Sequence, residues 1–138
     1  MSKLVSLSEA GSIAIHSMVM IARSDESLNV LRIADKTASS KHHISKILQR
    51  LVKSGFLKST RGPAGGFALN KSPEQITLLD IYQAIEGEII ISGGSPDKLV
   101  CPFDTCMMGN IIPKLTEEFR DFLKSKKLSD FIVKGITV

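Results

Sequence analysis

Cys101 and Cys106 are the only cysteines of the 138-residue chain, and four residues lie between them (C-x4-C). Two thiols at that spacing can ligate a metal or switch between thiol and disulfide. Zinc is one such metal, although zinc pairs are usually tighter or come as two sets. A second concentration of chemistry is cationic. Between Leu28 and Lys71 stand nine Lys/Arg (Arg32, Lys36, Lys41, Lys46, Arg50, Lys53, Lys58, Arg61 and Lys71) against one acid, Asp35. That segment carries +8 in a chain of net charge +4, so the remainder carries −4. Such segregation points to a polyanion partner rather than to solubility.

The elements that must position these cations follow from Ser39 to Leu69, SSKHHISKILQRLVKSGFLKSTRGPAGGFAL. Ser40 is suited to cap a helix. Apolar residues then recur at Ile44, Ile47, Leu48, Leu51 and Val52, a three-four repeat with one buried face. Gly55 falls where a left-handed residue ends a helix. The other face offers Lys41, His42, Ser45, Lys46, Gln49 and Lys53. Phe56–Ser59 and Phe67–Leu69 read as two strands joined by Arg61-Gly62-Pro63-Ala64-Gly65-Gly66. Helix, hairpin and glycine-rich tip in that order predict a winged helix-turn-helix, in which a helix enters a DNA groove beside a hairpin. A solvated surface helix and a plain hairpin are the alternatives, and the helix and wing together favour DNA docking. Arg61 at the base of the tip can enter a minor groove, where negative potential is focused.

Ser8–Arg23 has helical spacing at Ala10, Ile13, Ala14, Met18 and Ile21, with Ser8 as cap and Glu9 near the positive end. Asn29-Val30 reads as a short strand before a helix over 31–37. Thr77–Glu86 is a further helix, with Thr77 and Asp80 as a capping box and Gly87 as its stop. A last amphipathic helix covers 111–126, with Ile112, Leu115, Phe119, Phe122 and Leu123 on one side and Pro113 in its first turn. That seam packs either on a second copy, the simpler expectation, or back on its own domain.

Several classes are excluded. The glycine loop lacks the Gly-Lys-Ser/Thr ending of a nucleotide cradle and leads into a strand. No nucleophile–base set or paired carboxylates form a recognisable motif, and His42 and His43 are adjacent, so an enzyme is not expected. No apolar run is long enough to span a bilayer, and the first residues lack the order of a signal peptide. A cytoplasmic location follows, where thiols or metal ligands are expected rather than a structural disulfide.

Three stretches, RGPAGGFAL, ITLLDIYQAIEG and KILQRLVKSGFL, together with the weaker IADKTAS and LSDFI, resemble the Rrf-two family of bacterial winged-helix regulators, the IscR/NsrR-like group, over nearly the whole chain. The resemblance implies a mostly α fold with a small β-wing and a long C-terminal dimerisation helix. It divides the chain into a winged helix-turn-helix domain (1–88), a sensor or cluster-binding loop (89–110) and a dimerisation helix with its tail (111–138). It implies a homodimer, probing double-stranded DNA at a pseudo-palindromic operator as a transcriptional repressor. By position, Ser40, Lys41, His42, His43 and Lys46 of the reading helix and Arg61 and Gly62 of the wing carry the DNA contacts. It further implies control by an iron–sulfur cluster. Cluster-binding members supply three cysteines and this chain has two, so the implied ligands are Cys101, Cys106, His16 at the family's first-helix position, and Glu9 or Asp104. A mixed set of that kind favours [2Fe–2S]. A regulator with no cofactor, controlled by thiol oxidation or by a partner protein, is the alternative.

Overall fold

The computed structural model describes residues 7–63, 65–91 and 109–132. Five helices, a two-stranded hairpin and two 3-10 turns follow one another: α1 (Glu9–Arg23), α2 (Val30–Thr37), α3 (Lys41–Lys53), β1 (Leu57–Thr60), β2 (Gly66–Leu69), a 3-10 turn (Pro73–Gln75), α4 (Leu78–Glu86), α5 (Ile111–Ser125) and a second 3-10 turn (Leu128–Phe131). No helix among these residues is long and apolar enough to cross a membrane.

Caps set most of the helix starts. The Ser8 side chain accepts from Gly11 N at the start of α1, and Ser40 Oγ accepts from His43 N at the start of α3. Thr77 and Asp80 form the expected capping box on α4, with Gly87 at its end. Gly55, just past α3, has φ +88°, a left-handed conformation that L-residues adopt at a cost. Each cap satisfies backbone donors that the first turn leaves without intrahelical partners.

The stripes read from the sequence meet in one core. Ile13, Ala14, Met18 and Ile21 of α1 face Ile44, Leu48 and Leu51 of α3 and Leu79, Ile81 and Ile85 of α4, all buried. Burying a residue such as Leu48 completely is worth about 1.5–3 kcal/mol. Ser17 is the buried exception among polar side chains, and its hydroxyl has no hydrogen-bond partner among the described residues.

One local expectation shifts. The Asn29-Val30 strand is absent. Asn29 instead caps α2, its side chain accepting from Arg32 N, and Val30 is already helical. The strand-like contact lies one residue earlier, where Leu28 bridges Phe67 of β2. Leu28 N donates to Phe67 O at 3.0 Å and Phe67 N to Leu28 O at 2.8 Å. Gly66 permits this approach, since a Cβ there would lie 2.5 Å from the Leu28 carbonyl oxygen. β1 and β2 pair antiparallel from Leu57↔Leu69 to Thr60↔Gly66.

The last described residues return to the domain. Leu78 N donates to Lys126 O and Leu128 N to Ile76 O, at 2.9 and 2.8 Å. Leu128 is fully buried, and Arg23 Nε donates to Phe131 O at 2.6 Å. This strap ties the end of α5 to the start of α4 and the end of α1.

Candidate nucleic-acid interface

The winged helix assembles the basic segment on a rigid frame. Ser40 is the α3 cap, Lys41, His42 and His43 fill its first turn, and Lys46 lies in the next. Lys41, His42 and Lys46 are exposed, whereas His43 is only partly so. Arg61 and Gly62 are exposed at the wing, directly after β1. The wing base is fixed to α3 by backbone bonds: Phe56 N donates to Leu51 O and Asn70 N to Phe56 O, at 3.0 and 2.9 Å. The Asn70 side chain adds a bond to Gly55 O at 3.1 Å. α3 and the wing are therefore fixed to each other by hydrogen bonds, and the bridge to Leu28 joins them to the α1–α2 loop.

Two of the nine cations serve the fold. Arg50 Nη2 donates to Ile85 O at 2.8 Å, satisfying a carbonyl in the last turn of α4. Lys71 Nζ sits 5.0 Å from the centroid of the Phe56 ring, a cation–π contact at the wing base. Periodicity marks Arg50 only as a border residue of the α3 stripe. The acceptor on α4, distant in sequence, was the missing information. Asn70 carried no sequence signal beyond following a strand.

A groove of about 950 Å³ runs along α1. Glu9, Ser12 and His16 lie along it at helical spacing, Met20 continues the line, and Phe122 and Phe131 also line it. Thr37 and Ser39 of the α2–α3 turn border it. The sequence-predicted ligands Glu9 and His16 thus share one cavity. His16 is exposed, with Nδ1 at 2.7 Å from the Ser12 carbonyl. Because a carbonyl oxygen only accepts, that contact puts a proton on Nδ1, and in the neutral ring it leaves Nε2 with its lone pair. Glu9 lies 3.8 Å from His43 Nδ1 on α3, a contact not expected from the sequence. Cys101, Asp104 and Cys106 lie outside the described residues. Among the described residues no group of three His, Cys, Asp or Glu side chains is placed to hold a metal.

Residues 7–134 match the Rrf2 family, described as an iron-dependent transcriptional regulator. The chain belongs to the Rrf2 family. It is 29% identical over 112 residues to the transcriptional regulator NsrR of Bacillus licheniformis, a match covering 80% of this chain and 78% of the relative. Two solved structures share the fold. CymR, the global cysteine regulator of B. subtilis, superposes with a TM-score of 0.73 at 23% identity, covering 94% of this chain and 97% of that one. IscR of T. potens gives 0.75 at 23% identity, covering 94% and 87%. As an Rrf2 member the chain is a DNA-binding transcriptional regulator and not an enzyme. The mostly helical winged-helix architecture expected from the sequence is the one found.

Proposed function

We propose that this Rrf2 protein is a homodimeric repressor that grips a pseudo-palindromic operator with two copies of α3 and the wing. The observation that carries the reading is the exposure of Lys41, His42, Lys46 and Arg61 on a helix and hairpin locked together by backbone hydrogen bonds. Ser40 and the first-turn amides hold phosphates. Lys41, His42, His43 and Lys46 reach phosphates or base edges, and Arg61 with Gly62 enters the adjacent minor groove. Only base contacts specify sequence. The dimer reading rests on α5, where Ile111, Ile112, Leu115 and Phe122 stay exposed while Leu123 is buried in its own domain.

Control by an iron–sulfur cluster is the leading reading of the groove. The donor chemistry of His16 fits, because the hydrogen bond to Ser12 O fixes the tautomer that presents Nε2. Cys101, Cys106, His16 and either Glu9 or Asp104 would hold the group. A bound cluster supplies a redox-labile centre. The expected result of anaerobic reconstitution is a brown protein with visible absorbance and stoichiometric iron and sulfide, lost in Cys101→Ala and weakened in His16→Ala. A colourless, iron-free product rules the cluster out and leaves DNA binding standing. The presence of only two cysteines favours a second reading, a cofactor-free regulator switched by thiol oxidation or by a partner protein. It predicts duplex affinity that is indifferent to iron and changes after peroxide or partner addition.

A further inference from the structure

Glu9 sits where two sites meet. It is the first residue of α1, directly after the cap Ser8, whose Oγ accepts from Gly11 N at 3.0 Å and donates to Glu86 Oε1 at the end of α4. Its carboxylate lies 3.8 Å from Nδ1 of His43 in the first turn of α3. The backbone N–H of that same His43 donates to Ser40 Oγ at 3.2 Å. One residue of the reading helix is therefore held through its main chain by the cap and approached through its side chain by an acid from another helix. Glu9 also lines the α1 groove together with Ser12 and His16.

We propose that Glu9 competes with DNA phosphate for His43, and that the same carboxylate is the one the groove draws on. This rests on the reading that the first turn of α3 faces DNA. In the free protein the carboxylate approaches the imidazole to 3.8 Å and places a negative charge where a phosphate would meet His43. A duplex must displace it, so Glu9 lowers affinity. Cationic or donor occupancy of the groove that takes Glu9 frees His43 and raises affinity. The coupling is reciprocal: a phosphate that takes His43 releases Glu9 towards Ser12 and His16. A short path exists for this exchange, since Glu9 belongs to both sites and no long-range rearrangement is needed.

The test uses metal-free, reduced full-length protein and a fluorescent mixed-sequence duplex of about 30 base pairs, whose binding reports the electrostatic, sequence-independent contribution. At low salt Glu9→Gln is expected to bind roughly threefold tighter than wild type, the effect of releasing His43 from a carboxylate 3.8 Å away in a high-dielectric setting. In a His43→Ala background the Glu9→Gln gain is expected to fall to less than half that size. Glu74→Gln makes the same change in net charge on the exposed turn before α4 and is expected to leave affinity unchanged. Three results each overturn the proposal: Glu9→Gln binds no tighter, Glu74→Gln matches it, or the gain persists undiminished without His43. Glu9→Asp keeps the charge at the start of α1 while withdrawing it from His43. Because the charge stays, a smaller gain of the same sign is expected from it, and it keeps the contact testable should Glu9→Gln fail to fold. Wild-type protein that ignores the duplex altogether refutes the DNA-binding reading itself, and the wild-type measurement alone reveals that outcome.

Discussion

The reading side of the domain, α2 through β2, fills its exposed surface with cations, whereas the α1–α5 side leaves large apolar side chains in solvent. On α3 every apolar position of the repeat is covered or nearly so, and the exposed positions are Lys41, His42, Lys46, Gln49, Arg50 and Lys53. On α5 the apolar seam divides. Leu123 is 3% exposed and Phe119 packs against the core through an edge-on contact with Tyr82 at 5.4 Å, but Leu115 is 42% and Phe122 56% exposed. Leu31 on α2 is a single exposed leucine and needs no partner. The α5 set is contiguous along one helix, the pattern that marks an interaction surface. On the proposed reading the two sides serve different partners: charge on one is complementary to a polyanion, and apolar area on the other is complementary to the same face of a second copy.

That contrast makes the core the common support, so the largest loss is expected there. Leu48→Ala removes a fully buried side chain of α3 and is expected to cost about 2–5 kcal/mol in denaturant unfolding. It should abolish duplex binding and self-association together. Phe122→Asp separates them. It is expected to weaken dimerisation by roughly 1–3 kcal/mol, as for a central apolar anchor, with unfolding changed by less than about 0.5 kcal/mol. Sedimentation at graded concentration reads the first and denaturant titration the second. A variant that remains dimeric, or that unfolds as readily as Leu48→Ala, would erase the distinction drawn for α5.

Two arginines sharpen the other side of the comparison. Arg61 is exposed at the wing, and Arg61→Ala is expected to weaken duplex binding by about 1–3 kcal/mol and to reduce the salt slope by about one. Arg50 bonds to Ile85 O. Arg50→Ala is expected to cost about 1 kcal/mol of stability and to leave the salt slope unaltered. Binding isotherms across a salt series separate the two. Equal slope changes would mean that the fold-serving contact of Arg50 gives way to phosphate.

Much of this was legible in the sequence because it is local. Ser8, Ser40 and Thr77 cap their helices, Gly55 takes the left-handed turn, and the three-four stripe of α3 is the buried one, each decided within a few residues. What escaped is set by residues far apart in the chain. Asn29 sits between apolar residues, yet its side chain finds Arg32 N and the bridging role passes to Leu28, whose partner Phe67 lies in the second strand of the wing. The roles of Arg50 and Asn70 depend on acceptors in other elements. The Glu9–His43 approach depends on how α1 crosses α3, and no spacing rule contains that. The amphipathic seam of α5 is legible in the sequence but its division is not, because Leu123 is buried in the same core as Leu128 and the start of α4.

The smallest expected effect concerns the turn that sets the angle between α2 and α3. Ala38 closes α2 with φ 55° and ψ 28°, the one non-glycine residue of positive φ among those described. A left-handed L-residue costs about 1–2 kcal/mol. Glycine relieves that, at an entropic cost of roughly 0.5–1 kcal/mol to the unfolded chain's ordering. The Ala38 side chain is exposed, so its methyl gives up little packing. Ala38→Gly is therefore expected to stabilise by about 0.5–1 kcal/mol, a rise of roughly 3 °C in thermal midpoint for a chain of this size. If the alanine serves only the turn, duplex affinity and its salt slope stay at the wild-type values. If stability rises while affinity falls, the strained residue is holding α3 in the orientation that the groove behind it, bordered by Thr37 and Ser39, can adjust. The reading head would then be less independent of the α1 side than its own rigid hydrogen bonding implies.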